Sequence, residues 1–443
     1  MTTTTEQIKP SLGFWRSWAM SVGTMIGSGV FMIPAYLAPY GGLGLMAWLP
    51  AGLGAIAIAL SLAVMARRVP RTGGVYAYAH AGFGDFGGFL SAWVYWISVW
   101  ASCGAIAVAM VGYLGSLVPF LTSTPLISVF VGLALVWIIV GINLMGIREM
   151  GIVQLVTTVL KIVPLVLIGT AGVLSVSPST FTPLNPTDQP ALAILLPLII
   201  VTVWPFVGLE GATIPAGDVI EPEKTIPRAL IAGTISTITI YFIASYGVMG
   251  IVPAAQLATS TAPFADAAQL LVGHWGAIFI AVFAVISCFG SLNSNMCIAG
   301  QVPMAAAEDQ LFPTRFAKRT PRNVPGFALI VAGILTSILL LANYTKGMLG
   351  IYLFILQIST ITILFSYALA AGAALIMEIH DRSISTGQRL REGMASIVAF
   401  GFSAWVMLNA GVEVVYWTFA LLLASIPVYV FVTRNKNNNR EVK

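Results

Sequence analysis

The sequence predicts an all-α integral membrane protein with twelve transmembrane helices. Three observations lead there. Of 443 residues, 58% are hydrophobic and only 8% are charged, against about 25% charged in a soluble domain. The apolar excess must therefore face lipid. Apolar stretches long enough to cross a bilayer, about 20 residues each, recur along the whole chain between polar or Pro/Gly clusters. The cations are also one-sided. Of the 21 Lys and Arg, Lys346 alone would lie in an outer loop and Lys161 inside a span, and every other one falls in a segment on the side of the N-terminus. By the positive-inside rule that side is cytoplasmic, both termini lie there, and the span count is even.

The first span, 14–38, follows the short polar stretch Met1–Pro10. It is too long for a signal peptide and no A-x-A cleavage site follows it, so it is expected to be retained. The second, 43–66, runs into Arg67-Arg68, and the third covers 86–118. The fourth, 126–146, and the fifth, 150–175, flank Arg148. The sixth, 191–217, follows a polar gap at 176–190, and the seventh, 228–252, follows the charged loop Glu221–Arg228. The eighth, 273–304, precedes a second polar gap at 305–325, and the ninth and tenth, 326–343 and 348–377, flank Lys346. The eleventh, 393–410, follows Arg382, Arg389 and Arg391. The twelfth, 413–433, precedes an Asn-rich tail at 435–439 that is expected to be disordered. No gap is long enough for a soluble domain. Residues 1–443 are read as one transmembrane unit, with a repeat over 14–175, a second over 191–377, and two extra helices over 393–433.

Two spans carry helix breakers at corresponding places. Span one contains Gly23-Thr24-Met25-Ile26-Gly27-Ser28-Gly29, and its closely spaced glycines let the backbone open. Span six contains Trp204-Pro205-Phe206-Val207-Gly208-Leu209-Glu210-Gly211, where Pro205 lacks an N–H and disfavours helix at Trp204. Interrupted segments at matching positions of two halves point to a transporter site, because opened backbone inside a membrane must be buried or line a cavity. Freed N–H groups near Ser28 and Gly29, at the positive end of a half-helix, suit a carboxylate. Freed carbonyls near Met25, Trp204 and Val207 suit an ammonium. Thr24, Ile26 and Gly27 complete the first break as candidate substrate contacts.

Two ionisable residues lie deep in the spans, Glu210 and Lys161, and such residues are functional candidates by default. Glu210 follows the break in span six and reads as a gate, a titrating group or a structural cap of the second half-helix. Lys161, mid-way along span five, reads as a fixed cation or proton site, or as a lysine held by backbone carbonyls. Trp204 and Phe206 flank the break and are gate candidates, whereas Tyr95, Trp96 and Trp100 at helical spacing read mainly as packing. Cys103, Cys288 and Cys297 lie in apolar stretches without CxxC spacing, so neither a metal site nor a disulfide is expected. No cofactor is implied. The net charge of +5 comes without a basic run carrying interleaved aromatics, so nucleic acid is not an expected partner.

These residues carry a resemblance. Gly27-Ser28-Gly29-Val30-Phe31, Pro70-Arg71-Thr72-Gly73-Gly74-Val75-Tyr76-Ala77-Tyr78, Phe206-Val207-Gly208-Leu209-Glu210, Glu221-Pro222-Glu223-Lys224-Thr225-Ile226-Pro227-Arg228-Ala229 and Ala307-Glu308-Asp309-Gln310-Leu311-Phe312-Pro313 occur in order along the chain. Together they resemble the amino acid–polyamine–organocation (APC) superfamily over nearly its whole length, and the chain is especially similar to bacterial arginine–agmatine antiporters. The resemblance implies a five-plus-five inverted repeat with broken helices 1 and 6 and a site at the membrane midplane. It implies that Ser28 and Gly29 bind carboxylate, that the Met25, Trp204 and Val207 carbonyls receive the amine, and that Tyr95, Trp204 and Glu210 gate. Cys103, Asn295 and Thr24 stand where those antiporters carry asparagine, tryptophan and asparagine, so their guanidinium contacts are not kept. Lys161 is similar to the span-five lysine of proton-coupled, sodium-independent transporters in the superfamily. Asn295 and Ser359, on spans eight and ten, are further candidate substrate contacts.

The expectation is a sodium-independent secondary transporter of amino acids in the inner (cytoplasmic) membrane, working by alternating access, coupled to protons or run as exchange. The expected partners are a small amino acid or amine, protons, membrane lipid and a second copy in a homodimer. The alternatives are an antiporter of a cationic amino acid and its decarboxylated amine, and, from another class, a channel or non-transporting sensor. A channel would want a charged or carbonyl ring from an oligomer. An enzyme is disfavoured because no nucleophile–base or metal cluster is present in the sequence.

Overall fold

A computed structural model describes residues 12–71, 73–145, 150–214, 216–322, 324–342, 347–381 and 385–441. The described residues form helices joined by short turns and contain no sheet, only an isolated bridge between Leu12 and Val219. The long helices are α1 (Phe14–Met25), α2 (Ser28–Leu37), α3 (Trp48–Arg68), α4 (Val75–Leu117), α5 (Pro125–Met145), α6 (Met150–Ser175) and α7 (Ala191–Val203). They continue with α8 (Pro222–Ile251), α9 (His274–Glu308), α10 (Gly326–Ala342), α11 (Gly347–His380), α12 (Thr386–Leu408) and α13 (Val412–Glu441). Short helices at Gly41–Met46, Ala254–Leu257 and Pro263–Val272 lie in connections.

Each expected span coincides with a helix or a broken pair of helices. Among the described residues, 10 helical segments are long and apolar enough to cross a membrane. α10, at 17 residues, is apolar but shorter, and α12 opens on a charged turn with Arg389, Arg391 and Glu392. Three boundaries differ from expectation. The third helix starts at Val75 rather than 86, and its first segment, which carries His80, meets a bend at Gly84 (φ 70), after which come Asp85 and the longer apolar run. The sixth stops being α-helical at Val203, because Pro205 cannot supply the next helical donor. The tail is not irregular: α13 continues through 435–439 to Glu441, since no glycine or proline follows Pro427 to stop it.

Burial separates central from peripheral helices. The apolar part of α4 is 94% buried, whereas that of α13 is 17% buried. α4 packs most extensively on α11, and next on α9. Along that seam the hydroxyl residues face one another. Ser91 meets Ser366 at 3.2 Å, Ser98 meets Ser359 at 3.1 Å, and Ser102 meets Ser359 at 2.7 Å. In lipid such polar groups gain little from water-exclusion but hold helices by mutual hydrogen bonds. α13 instead turns Val412, Tyr416, Phe419, Leu423 and Val430 outward, the spacing of a lipid-facing stripe.

One ionic cluster ties the end of α3 to the charged start of α12. Glu392, with its side chain 5% exposed, accepts from Arg67 Nη2 at 2.8 Å, Arg68 Nη2 at 3.1 Å and Gln388 Nε2 at 3.0 Å. Removing the carboxylate strands two guanidiniums against each other. Glu392→Ala is expected to cost about 2 kcal/mol, less than a fully buried pair loses because Arg67 is 39% exposed. The check is a lowered apparent melting temperature of the purified protein in detergent, and an unchanged transition would assign the cluster no stabilising role.

Candidate functional site

The two helix breaks meet in the interior. Between α1 and α2 the chain leaves helical geometry at Ile26 (φ −74, ψ 91) and Gly27 (φ −132, ψ −139). α2 then opens with no side-chain cap on Gly27, so its leading N–H groups lack intrahelical acceptors. After α7 the chain makes a 3-10 turn at Trp204–Phe206, extends at Val207 and turns left-handed at Gly208 (φ 99) before a second 3-10 turn, Leu209–Thr213. A side chain at Gly208 would be strained by that φ and would crowd Thr24 at 2.9 Å. Gly29 is required for a different reason. A Cβ there would lie 2.7 Å from the Pro205 ring and 2.9 Å from the Trp204 ring.

Side chains from neighbouring helices hold the opened backbone. Tyr241 of α8 donates to the Met25 carbonyl at 2.6 Å, with the Pro205 carbonyl at 3.0 Å as the alternative acceptor. The Thr24 hydroxyl lies 2.6 Å from both the Met20 and Gly208 carbonyls, and its one proton bridges the two breaks when it turns to Gly208. Ser291 of α9 donates to the Ile26 carbonyl at 3.2 Å. The Trp204 carbonyl accepts from the Val207 N–H at 2.8 Å.

Between the breaks lies a small cavity. The first break lines it with Thr24, Met25, Gly27, Ser28 and Gly29, and the second with Trp204, Pro205 and Val207. Ser102 and Ile106 of α4 and Asn295 of α9 close the remaining side. Its volume is about 20 Å³, the room of a water molecule. A larger guest must move side chains, and Trp204 packed over Gly29 is the nearest large one. The uncapped start of α2 and the opened backbone of the second break both border it. No charged side chain lines it. Of the buried polar atoms without a hydrogen-bond partner, Ser28 Oγ and Trp204 Nε1 belong to lining residues.

The two deep charges lie outside this lining. Lys161 of α6 is fully buried, and its ammonium donates to the Gly23 carbonyl and to Ser291 Oγ, each at 2.8 Å. It braces α6 against the first break and α9. Glu210, 2% exposed, accepts from Tyr95 of α4 at 2.8 Å through one oxygen and from Tyr367 of α11 through the other. That carboxylate therefore joins three elements.

The structure thus brings together Thr24, Met25, Gly27, Ser28, Gly29, Trp204, Val207 and Asn295. Ile26 is buried beside them but presents its carbonyl to Ser291. Ser359 stands one hydroxyl behind the lining, bonded to Ser102. Tyr95 and Glu210 form the carboxylate–tyrosine junction, and Phe206 packs against Trp48 and Tyr241. Sequence reasoning passed over Ser102, Tyr241, Ser291, Tyr352 and Tyr367. A signal existed for some of them. Ser91, Tyr95, Ser98 and Ser102 repeat on one face of α4, as do Tyr352, Ser359 and Ser366 on α11. Tyr241 and Ser291 show it too: Thr234, Thr237, Tyr241 and Ser245 share a buried face of α8, and Ser287, Ser291 and Asn295 share a face of α9.

A bundle of membrane-crossing helices, opened at two facing breaks around a small polar cavity, defines a carrier. The chain belongs to the amino acid permease family, which it matches over residues 12–441. It is 30% identical to an arginine/ornithine antiporter of Pseudomonas aeruginosa, over 89% of this chain and 85% of that one. It is 28% identical to a putative arginine/ornithine antiporter of Bacillus subtilis, over 98% of this chain and all of that one. It is also 29% identical to a cadaverine/lysine antiporter of Escherichia coli K12, over 74% of each chain. These relatives are transporters, not enzymes.

Gly29→Val is expected to abolish substrate binding, because its side chain would enter the space of Pro205 and Trp204. Ligand binding to the purified variant, alongside an unchanged gel-filtration profile, checks this. Normal affinity in a folded Gly29→Val protein would move the site away from the break.

Proposed function

We propose that the chain is a sodium-independent secondary transporter of amino acids, working by alternating access in the cytoplasmic membrane with both termini inside. The observation that carries this reading is the pairing of an uncapped helix start at Gly27–Gly29 with opened backbone across the same cavity. An α-amino acid supplies the matching carboxylate and ammonium a short distance apart. The carboxylate docks on the Ser28 and Gly29 N–H groups, at the positive end of α2. The ammonium docks on free lone pairs of the Met25, Trp204 and Val207 carbonyls. Thr24, Ile26, Gly27, Asn295 and Ser359 shape the remaining contacts.

Sodium-independence rests on Lys161, whose ammonium lies against the Gly23 carbonyl beside the break. A fixed cation there leaves no call for a mobile one. Trp204 closes over the substrate and Phe206 supports it. The Tyr95–Glu210–Tyr367 junction seals the pathway beyond the cavity. The twelve expected helices form a five-plus-five inverted repeat, 14–175 and 191–377, with 393–433 outside it. A homodimer in the membrane and coupling to protons complete the proposal.

A second reading has its own support: antiport of a cationic amino acid against its decarboxylated amine or a related amino acid. The relatives named for arginine/ornithine, cadaverine/lysine and putrescine favour it. The uncharged lining favours a zwitterion instead.

Uptake into proteoliposomes tests both readings. Labelled leucine, ornithine and lysine are offered with and without unlabelled amino acid or amine inside. Replacing external sodium with choline is expected to leave the rate unchanged, and a saturable sodium dependence would end the Lys161 argument. Stimulation by internal ornithine, putrescine or cadaverine alone would select the second reading.

The two deep charges separate by substitution. Lys161→Ala is expected to abolish accumulation driven by a proton gradient while leaving some exchange. Glu210→Gln keeps both tyrosine contacts in size but cannot titrate, and is expected to transport with a flattened pH profile. Uptake from pH 5 to 8, with and without an imposed gradient, reads both. An alanine variant at 161 that still concentrates substrate removes Lys161 from coupling.

A further inference from the structure

Tyr352 lies on α11, next to the cavity but outside its lining, and nothing in the mechanism so far uses it. Its side chain is fully buried. Its ring meets Trp204 edge-on, with centroids 5.7 Å apart. Its hydroxyl faces that of Ser28, yet neither hydroxyl completes a hydrogen bond. A buried hydroxyl without a partner is costly, and a phenylalanine would pack the same ring without that cost. The unpartnered donors also have a direction. Both sit where the uncapped N-terminus of α2, itself a helix of 10 residues, already gathers free N–H groups. Three kinds of donor therefore converge on one spot: helix N–H groups, a serine hydroxyl and a phenol. No anionic side chain of the cavity lining answers them.

We propose that Tyr352 is a substrate-binding residue whose hydroxyl donates to the α-carboxylate of the amino acid docked at Ser28 and Gly29, and that it sets the preference for amino acids over amines lacking that carboxylate. The proposal rests on the reading that an α-carboxylate docks at the start of α2. In the absence of an acceptor the phenol and the serine are left unsatisfied, and a carboxylate oxygen satisfies both. A decarboxylated amine offers no such acceptor. It forgoes the contact and gains nothing from the phenol. Because the Tyr352 ring also abuts Trp204, a carboxylate bound to the phenol sits against the side chain that must move for substrate to enter.

The test is Tyr352→Phe, which keeps the ring against Trp204 and removes only the hydroxyl. Dissociation constants are measured on purified protein for three pairs: ornithine with putrescine, lysine with cadaverine, and leucine with 3-methylbutylamine. For whichever amino acids the wild type binds, the variant is expected to bind about tenfold more weakly, the loss of one hydrogen bond to a charged group. Amines that the wild type binds are expected to keep their affinity within about twofold. The ligand-free melting temperature is expected to stay level or rise, since an unsatisfied buried hydroxyl is gone. Where the wild type binds only the amino acid, the weakened binding together with that unshifted melting temperature carries the proposal. Unchanged amino acid affinity, or equal weakening of acid and amine, would overturn it and leave Tyr352 as packing. A wild type that binds none of the six compounds would instead defeat the site reading itself.

Discussion

Backbone opened inside a membrane has no water to satisfy it, and the arrangement of this protein follows from that constraint. Each unsatisfied peptide group in hydrocarbon costs several kcal/mol by order of magnitude. At the first break, three carbonyls are met by three different helices. Lys161 of α6 takes Gly23, Tyr241 of α8 takes Met25, and Ser291 of α9 takes Ile26. At the second break, the Pro205 carbonyl is the alternative acceptor for Tyr241, and the Gly208 carbonyl is one for Thr24. The carbonyls are thus largely answered from within the protein, whereas the N–H groups that open α2 have no side-chain cap. That imbalance gives the cavity a polarity without any charged lining residue.

The same constraint explains how the deep charges are tolerated. Neither Lys161 nor Glu210 is isolated, and neither is neutralised by an opposite charge. Each is hydrogen-bonded to groups on other elements: the ammonium to a carbonyl and a serine, the carboxylate to two phenols. Such contacts act between bodies rather than within one. Lys161 joins α6, the first break and α9. Glu210 joins the second break, α4 and α11. Any motion that separates those elements must break a charge-assisted hydrogen bond, which is stronger than a neutral one, and must offer the charge another partner or water. Both residues therefore stand at boundaries where a rearrangement meets its largest local resistance.

Much of the fold was legible because lipid imposes strong one-dimensional rules. Length and apolarity located the helices, and Pro205 with the Gly27–Gly29 pair located the breaks. The misses have physical causes. The true start of α4 was hidden because His80, Gly82, Gly84 and Asp85 interrupt its apolar pattern, although the helix runs through them with a bend at Gly84. The tail remained helical despite its asparagines, which lower propensity only weakly where a long helix already precedes them. Within the site, residues on the broken segments were found and their partners were not. Tyr241, Ser291 and Tyr367 lie far from the breaks in sequence, and each is one of several polar residues on its helix. What identifies them is the carbonyl or carboxylate they meet, and that meeting is a property of three-dimensional packing. Ser102 was nearer to view, because it continues the face set by Tyr95 and Ser98.

The small size of the cavity carries a consequence for energetics. Space for a single water cannot hold an amino acid, so binding must be coupled to displacement of the side chains that fill it. On the proposed reading Trp204 is the one that must move. Its ring lies against Gly29, its indole N–H is unsatisfied, and its other edge meets Tyr352. A substrate that displaces it must replace the packing lost between these groups, and only the surplus appears as affinity. A ligand shifts a conformational balance only by its differential interaction with the two forms. The groups able to supply that difference are those left unsatisfied when the cavity is contracted: the N–H groups at the start of α2, the Ser28 hydroxyl and the indole. Groups already bonded, such as Lys161 and Glu210, can contribute only by exchanging one partner for another. On the proposed site, recognition and motion are therefore linked through the unsatisfied donors, while the satisfied charges set the resistance against which they act.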